Sequence, residues 1–211
     1  MAGTTDNWLS SRIALGPGKL YGNLGGTTNA PWDISSATVR LLLHTDGSPN
    51  STQNPNAVHL GMTEGGEEWT LKVTATDYNA DEFLDPITSR VTGQEARISG
   101  SLLQVSDFAV QQLMAPGATR SDVGGAEGLT FGAANPSIVY RSFAVIWPVE
   151  GDSTKFCVFH LYKAYNAVGI AAQVTRSKLG SSPFELRGYP ITTRTDGDYT
   201  GRFFRQVSGT S

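Results

Sequence analysis

Of the residues that build most catalytic and metal centres, this sequence has few. Cysteine occurs once, at Cys157, so no internal disulfide can form. Its setting in the apolar run FCVFHLY predicts a buried, inert thiol. Histidine occurs at His44, His59 and His160. None stands four residues from another or beside a cysteine pair, which excludes the spacings zinc sites use. His160 falls mid-strand among aromatics and is expected to be a satisfied or interface-facing imidazole. No G-x-S-x-G string occurs, so a serine nucleophile has no support. No apolar run reaches the ~18 residues of a membrane span. The first residues, MAGTTDNWLSS, lack the charged and apolar regions of a signal peptide. The expectation is a chain made and folded in a cytoplasm, with no membrane insertion. Basic residues are also scarce: 16 Lys and Arg stand against 19 Asp and Glu, a formal net charge of -3. A sequence-independent nucleic-acid clamp needs the opposite balance, because counterion release requires clustered cations.

Two weaker motifs fail on inspection. GPGKLYG (Gly16 to Gly22) lacks the G-K-[ST] of a phosphate loop. Asp77-Tyr78-Asn79-Ala80-Asp81 opens like a calcium loop, but Glu82 stands where glycine is required and Thr88 where a bidentate Glu is required. Neither a cofactor nor a metal is assigned, and no catalytic residue.

Strand patterns are what the sequence has in quantity. Trp69, Leu71, Val73 and Ala75 alternate with Glu68, Thr70, Lys72 and Thr74, the period of a strand with one buried and one wet face. Ala96, Ile98, Gly100 and Leu102 alternate in the same way with Glu95, Arg97, Ser99 and Ser101. Three runs are apolar in both parities: Val39 to Leu43, Ile138 to Trp147 and Lys155 to Tyr165. Such strands need cover on both faces. The last two, joined by PVEGDST, predict a hairpin. One helix is expected, with Ser106 as N-cap, Asp107 beside the positive helix end, Phe108, Ala109, Leu113 and Met114 on one face, and Ala115-Pro116-Gly117 as the stop. Residues 44–56 and 115–125 are predicted as long loops. The fold class expected is mainly β: one domain over 1–211, an antiparallel β-sandwich or barrel flanked by a short helix, with an N-terminal arm over 1–15.

In LGMTEGGEEWTL (Leu60 to Leu71), Glu64, Glu67 and Glu68 crowd a glycine pair. An acid–base pair needs a cleft and split pKa values; here the glycines permit positive φ at the entrance of a strand, so the expected role is mechanical. Between Glu64 and Asp85 seven acids face one base, a local net of -6. From Arg176 to Arg205 six bases face three acids, a net of +3. These regions attract each other, within a subunit or between neighbours.

The ordered set GPGKLYGN, LGMTEGGEEW, TGQEARISGSLLQVSDFAVQQL, AEGLTFGA and SPFELRGYPITTRTDGDYTGRFFRQ resembles the major tail tube proteins of tailed bacteriophages. The resemblance spans about Leu15 to Arg205. It implies a sandwich or barrel assembled as hexameric rings that stack into a hollow tube, as in the related tubes of contractile tails and type VI secretion systems. It implies assembly around a tape measure protein, with tail-tip and tail terminator proteins as further partners, and passage of the double-stranded genome through the lumen into the host. The expected location is the virion, after synthesis in the host cytoplasm, in a long non-contractile tail. On this reading Glu68, Thr70, Lys72, Thr74, Glu95, Arg97, Ser99 and Ser101 are expected to face the lumen, being polar, small and nearly charge-balanced. Glu64, Glu67, His44, Asp46, Asn50, Asn54, Arg202 and Arg205 are expected in ring-stacking or inter-subunit contacts. Competing readings are another ring component, such as a tail terminator or tube initiator, and a soluble β-sandwich binding module. For the module, Trp8, Trp32, Trp69 and Trp147 are too dispersed to form an aromatic face. An enzyme comes third.

Overall fold

The computed structural model describes residues 18–23, 57–78, 88–103, 107–115, 117–132, 138–149, 152–171, 173–175, 178–193 and 200–205. The N-terminal arm 1–15, the run Val39 to Leu43 and the loop 44–56, with His44, Asp46, Asn50 and Asn54, lie outside these residues.

Two long strands dominate the chain. Strands β3 (Thr63–Tyr78) and β4 (Thr88–Leu102) pair antiparallel from Thr63↔Leu102 to Tyr78↔Thr88. They belong to a nine-stranded sheet with β1 (Lys19–Gly22), β2 (Val58–His59), β7 (Arg141–Val149), β8 (Asp152–Asn166), β9 (Gln173–Thr175), β10 (Lys178–Gly188) and β11 (Gly201–Arg205). The order is β2-β1-β7-β8-β10-β4-β3, with β11 on β8 and β9 on β10. Every pairing is antiparallel. One edge of β8 pairs β7; the other pairs β11 over 157–161 and β10 over 164–166.

Strands β7 and β8 bury side chains in both parities, as their composition requires. Phe143, Val145, Trp147, Cys157, Phe159 and Leu161 join Leu20, Ile98, Leu102, Phe184 and Leu186 in the larger core. Ala144, Ile146, Phe156 and Val158 pack with Tyr21 on the opposite face. His160 and Cys157 are both buried, and burial pushes the Cys157 thiol up. The hairpin extends further than expected: Pro148 pairs with Phe156 and Val149 with Asp152, so part of PVEGDST is strand. GPGKLYG is likewise strand, from Lys19 onward.

The helix, α1 (Phe108–Met114), differs from the expected one in cap and face. Asp107, not Ser106, is the N-cap; its carboxylate accepts from the N–H groups of Ala109 (2.9 Å) and Val110 (3.3 Å). A carboxylate at that position satisfies two donors that the first turn leaves open. Val110 and Met114 enter the core and Leu113 packs against it, as expected of Leu113 and Met114, while Phe108 and Ala109 stay half-buried. The expected loop 115–125 is also corrected. It contains β5 (Thr119–Val123), which pairs with β6 (Ala126–Thr130) as a separate two-stranded sheet. Gly124 and Gly125 close that hairpin at φ 61° and 83°, a turn that needs positive φ at both positions.

Candidate functional site

The feature that sets this chain apart is the outer part of the β3–β4 hairpin. From Glu68 to Tyr78 and from Thr88 to Gln94 every residue is exposed, so this arm is open to solvent on both faces. Among the described residues strand β3 ends the order of the main sheet and pairs only with β4. The glycine pair lies at the arm's root. Gly65 and Gly66, at φ 78° and 88°, form an irregularity between the pairs Thr63↔Leu102 and Glu67↔Gly100. The extra residues redirect the strand, as bulges do.

Residues directly opposite in an antiparallel pair share a face. Glu68↔Ser99, Thr70↔Arg97, Lys72↔Glu95 and Thr74↔Gly93 therefore define one face of the arm. Ser101, opposite Pro183, continues it. All eight residues expected to line a lumen thus lie on one surface. The adjoining strand β10 contributes Glu185, opposite Ser99, and Arg187, opposite Arg97. Arg97 Nη2 stands 2.7 Å from Glu95 Oε2 and Arg97 Nη1 3.4 Å from Glu185 Oε1; Arg187 Nε donates to Glu185 Oε1 at 2.6 Å. Hydrogen bonding to Arg97 holds the Glu95 carboxyl below the usual range, and hydrogen bonding to Glu185 raises Arg187. With Lys72, Glu68 and Arg90, which stands opposite Thr76 on the same face, the face carries four cations and three anions, a net charge of +1. Glu185 and Arg187 escaped the sequence reading; the alternation in FELRG was the available signal.

The reverse face carries the apolar side chains, with Gln94 opposite Val73 and Asp77 opposite Ser89 as polar members. Trp69 is 40%, Leu71 58%, Val73 50% and Val91 54% exposed, whereas Ile98 and Ala96 further in are buried. The expected alternation is present, but its apolar side meets water instead of a core. At the root, Trp69 stacks with Phe159 (4.9 Å, 26°) and Phe203 (5.2 Å, 19°), and Phe203 with Trp147 (5.9 Å, 20°). Phe203 stands 134 positions from Trp69, and no short-range pattern signals that contact. Between the arm and β11 opens a groove of about 910 Å³, bordered by Trp69, Leu71, Val91, Phe159, Arg202 and Phe203.

The acidic cluster is divided. Glu64 and Glu68 are exposed, while Glu67 is half-buried, accepts from Thr63 Oγ1 at 3.1 Å and is raised by desolvation. Arg202 and Arg205 lie on β11, opposite His160 and Cys157. Among the described residues no group of three His, Cys, Asp or Glu side chains converges as a metal site. No helix among them is long and apolar enough to cross a membrane. A second aromatic group, Tyr140, Tyr165 and Tyr189, has centroids 5.3 to 5.9 Å apart, with Lys163 Nζ 4.5 Å over the Tyr140 ring. No protein-family model matches the chain, and no curated protein is significantly similar to it.

Proposed function

We propose that this chain is a structural tube protein of a phage tail, whose copies close into hexameric rings and stack into a hollow conduit for double-stranded DNA. The observation that carries this reading is the two-faced arm. An isolated two-stranded ribbon is marginal in water, and exposed apolar area of this kind marks an interaction site. An assembly that covers the apolar face and leaves the other open has a polar wall of small net charge, on which Arg97 and Arg187 are ion-paired with Glu95 and Glu185. Such a wall favours passage of DNA, since every unpaired Lys or Arg would add a phosphate contact and slow it. The outer edge of β3, which has no partner strand among the described residues, supports the same reading, because pairing with a neighbour removes an exposed edge.

On this reading the remaining partners are a tape measure protein, tail-tip and terminator proteins, and the location is the virion, in a non-contractile tail. A tail terminator or tube initiator shares the wall but has one polymerising face instead of two. The tyrosine trio favours a second reading, a β-sandwich module that binds carbohydrate. Sedimentation velocity over a concentration series separates them. A tube protein yields rings of six and larger species; a binding module remains monomeric and responds to a glycan array. Charge reversal at Glu64, Glu67 and Glu68 is expected to impair stacking, and unchanged polymerisation would remove that turn from the contact.

A further inference from the structure

We infer that Glu67, seated on Gly18, is a proton-sensitive latch that holds the root of the arm against the start of β1. The two segments are far apart in the sheet. Among the described residues β1 pairs with β2 and β7, while β3 pairs with β4 alone, near the other end of the order. The sheet curls so that these ends meet. The N–H of Leu60 bonds to the Leu20 carbonyl and the N–H of Leu103 to the Met62 carbonyl, each at 2.9 Å, so the short segment before β3 bridges β1 to the end of β4. Past Met62 the seam changes character. Among the described residues no backbone hydrogen bond crosses it there; the Glu67 side chain does, and beyond it Trp69 stacks on Phe159 and Phe203.

Two observations fix the seat. A Cβ on Gly18 would stand 2.7 Å from Glu67 Oε2 and 3.0 Å from Val145 Cγ1, closer than side-chain atoms approach, so the carboxyl fills space that only a glycine leaves. Glu67 Oε1 accepts from Thr63 Oγ1 at 3.1 Å. Thr63 and Glu67 flank the irregularity in β3: they are four positions apart while their partners Leu102 and Gly100 are two apart, so this bond spans the extra residues and the Gly65-Gly66 turn. One carboxyl therefore both closes the bulge that redirects the arm and rests on the body of the sheet.

The seat offers no countercharge. Lys19 and His59 take the parity of Tyr21, which packs on the opposite face. Val145 and Trp147 of β7, Gly100 of β4 and Phe184 of β10 are uncharged. Lys155 and Arg205 share the parity of Cys157 but belong to β8 and β11, two and three strands from β1. On its own strand Glu64 is exposed and Glu68 alternates to the polar face. Burial accordingly raises the Glu67 carboxyl, and the bonds from Thr63 and from its own N–H offset this only in part. A neutral carboxyl suits such a seat, whereas a carboxylate is better solvated outside it. Rising pH therefore loosens the seam and frees the root of the arm.

The test follows the full chain at a concentration where it sediments as a monomer, so its outcome is independent of assembly. Hydrogen exchange corrected for the intrinsic rate is read at the arm's root, 66–71, and at the core segment 156–161, between about pH 4.5 and about pH 7.5. Wild type is expected to lose protection at the root severalfold as pH rises. Glu67→Gln, neutral throughout and still an acceptor for Thr63, is expected to stay protected; Gly18→Ala, whose methyl displaces the carboxyl, is expected to be poorly protected at every pH, without the step. The core segment is expected to remain better protected than the root, which marks the opening as local. A flat profile in wild type, the same fall in Glu67→Gln or Gly18→Ala, or equal protection of root and core overturns the latch. Near-UV circular dichroism gives a second reading, because Trp69 and Trp147 stack at 6.4 Å and 22°. Their signal is expected to change with pH in wild type and to hold steady in Glu67→Gln; a wild-type spectrum constant over that range overturns the latch.

Discussion

Glu67 differs from the two acids beside it in being half-buried, and its carboxyl is raised from 4.5 mainly by desolvation. A carboxyl raised in the folded state makes stability fall as pH rises from the unfolded value through the folded one. Glu67→Gln, which keeps an acceptor for Thr63, removes that dependence. The variant is expected to be at least as stable as wild type at pH 7, with the difference shrinking below about pH 4.5; thermal denaturation across that range checks it. Asp107→Ala is expected to cost about 1 kcal/mol by removing the N-cap of α1, read from urea denaturation. Both side chains were visible in the sequence as charges near an element's start. Their roles were not, because a cap is fixed by which N–H groups point at it and a pKa by what covers the carboxyl.

At the scale of elements, the β3–β4 arm separates folding from assembly. Leu71 and Val73 are already half-exposed, so Leu71→Ser with Val73→Ser is expected to leave monomer stability within roughly 0.5 kcal/mol per site. The same pair is expected to abolish oligomers in sedimentation velocity, and oligomers that persisted would show that the apolar face is not a contact. The polar face yields a separate expectation. Glu95→Lys with Glu185→Lys changes its charge by +4, and salt-dependent retention of double-stranded DNA is expected where wild type shows little, in a filter-binding assay. Alternation from Glu68 to Ala75 revealed the strand and its two faces, because side-chain parity is local. What faces the apolar side is decided by neighbours far along the chain, so the sequence suggested a core where the arm meets water. The β5 strand was hidden for a related reason: TRSDV has no apolar alternation, and only Gly124-Gly125 marks the turn that makes it one.

At the scale of the whole molecule, the mainly β class, with one short helix among the described residues, was legible from strands apolar in both parities, which require cover on both faces. The strand order was not, since β1 joins β7 through pairings between distant segments such as Tyr21↔Ala144. The account requires many copies to complete what one leaves open: an apolar arm face, a β3 edge with no partner among the described residues, and a polar wall of small net charge. Electron microscopy of the purified full chain over a concentration series tests this most directly. The account predicts hollow tubes of uniform width with a regular axial repeat and six subunits per ring. A chain that remains monomeric at the highest concentrations, or forms solid fibres without a lumen, would contradict it.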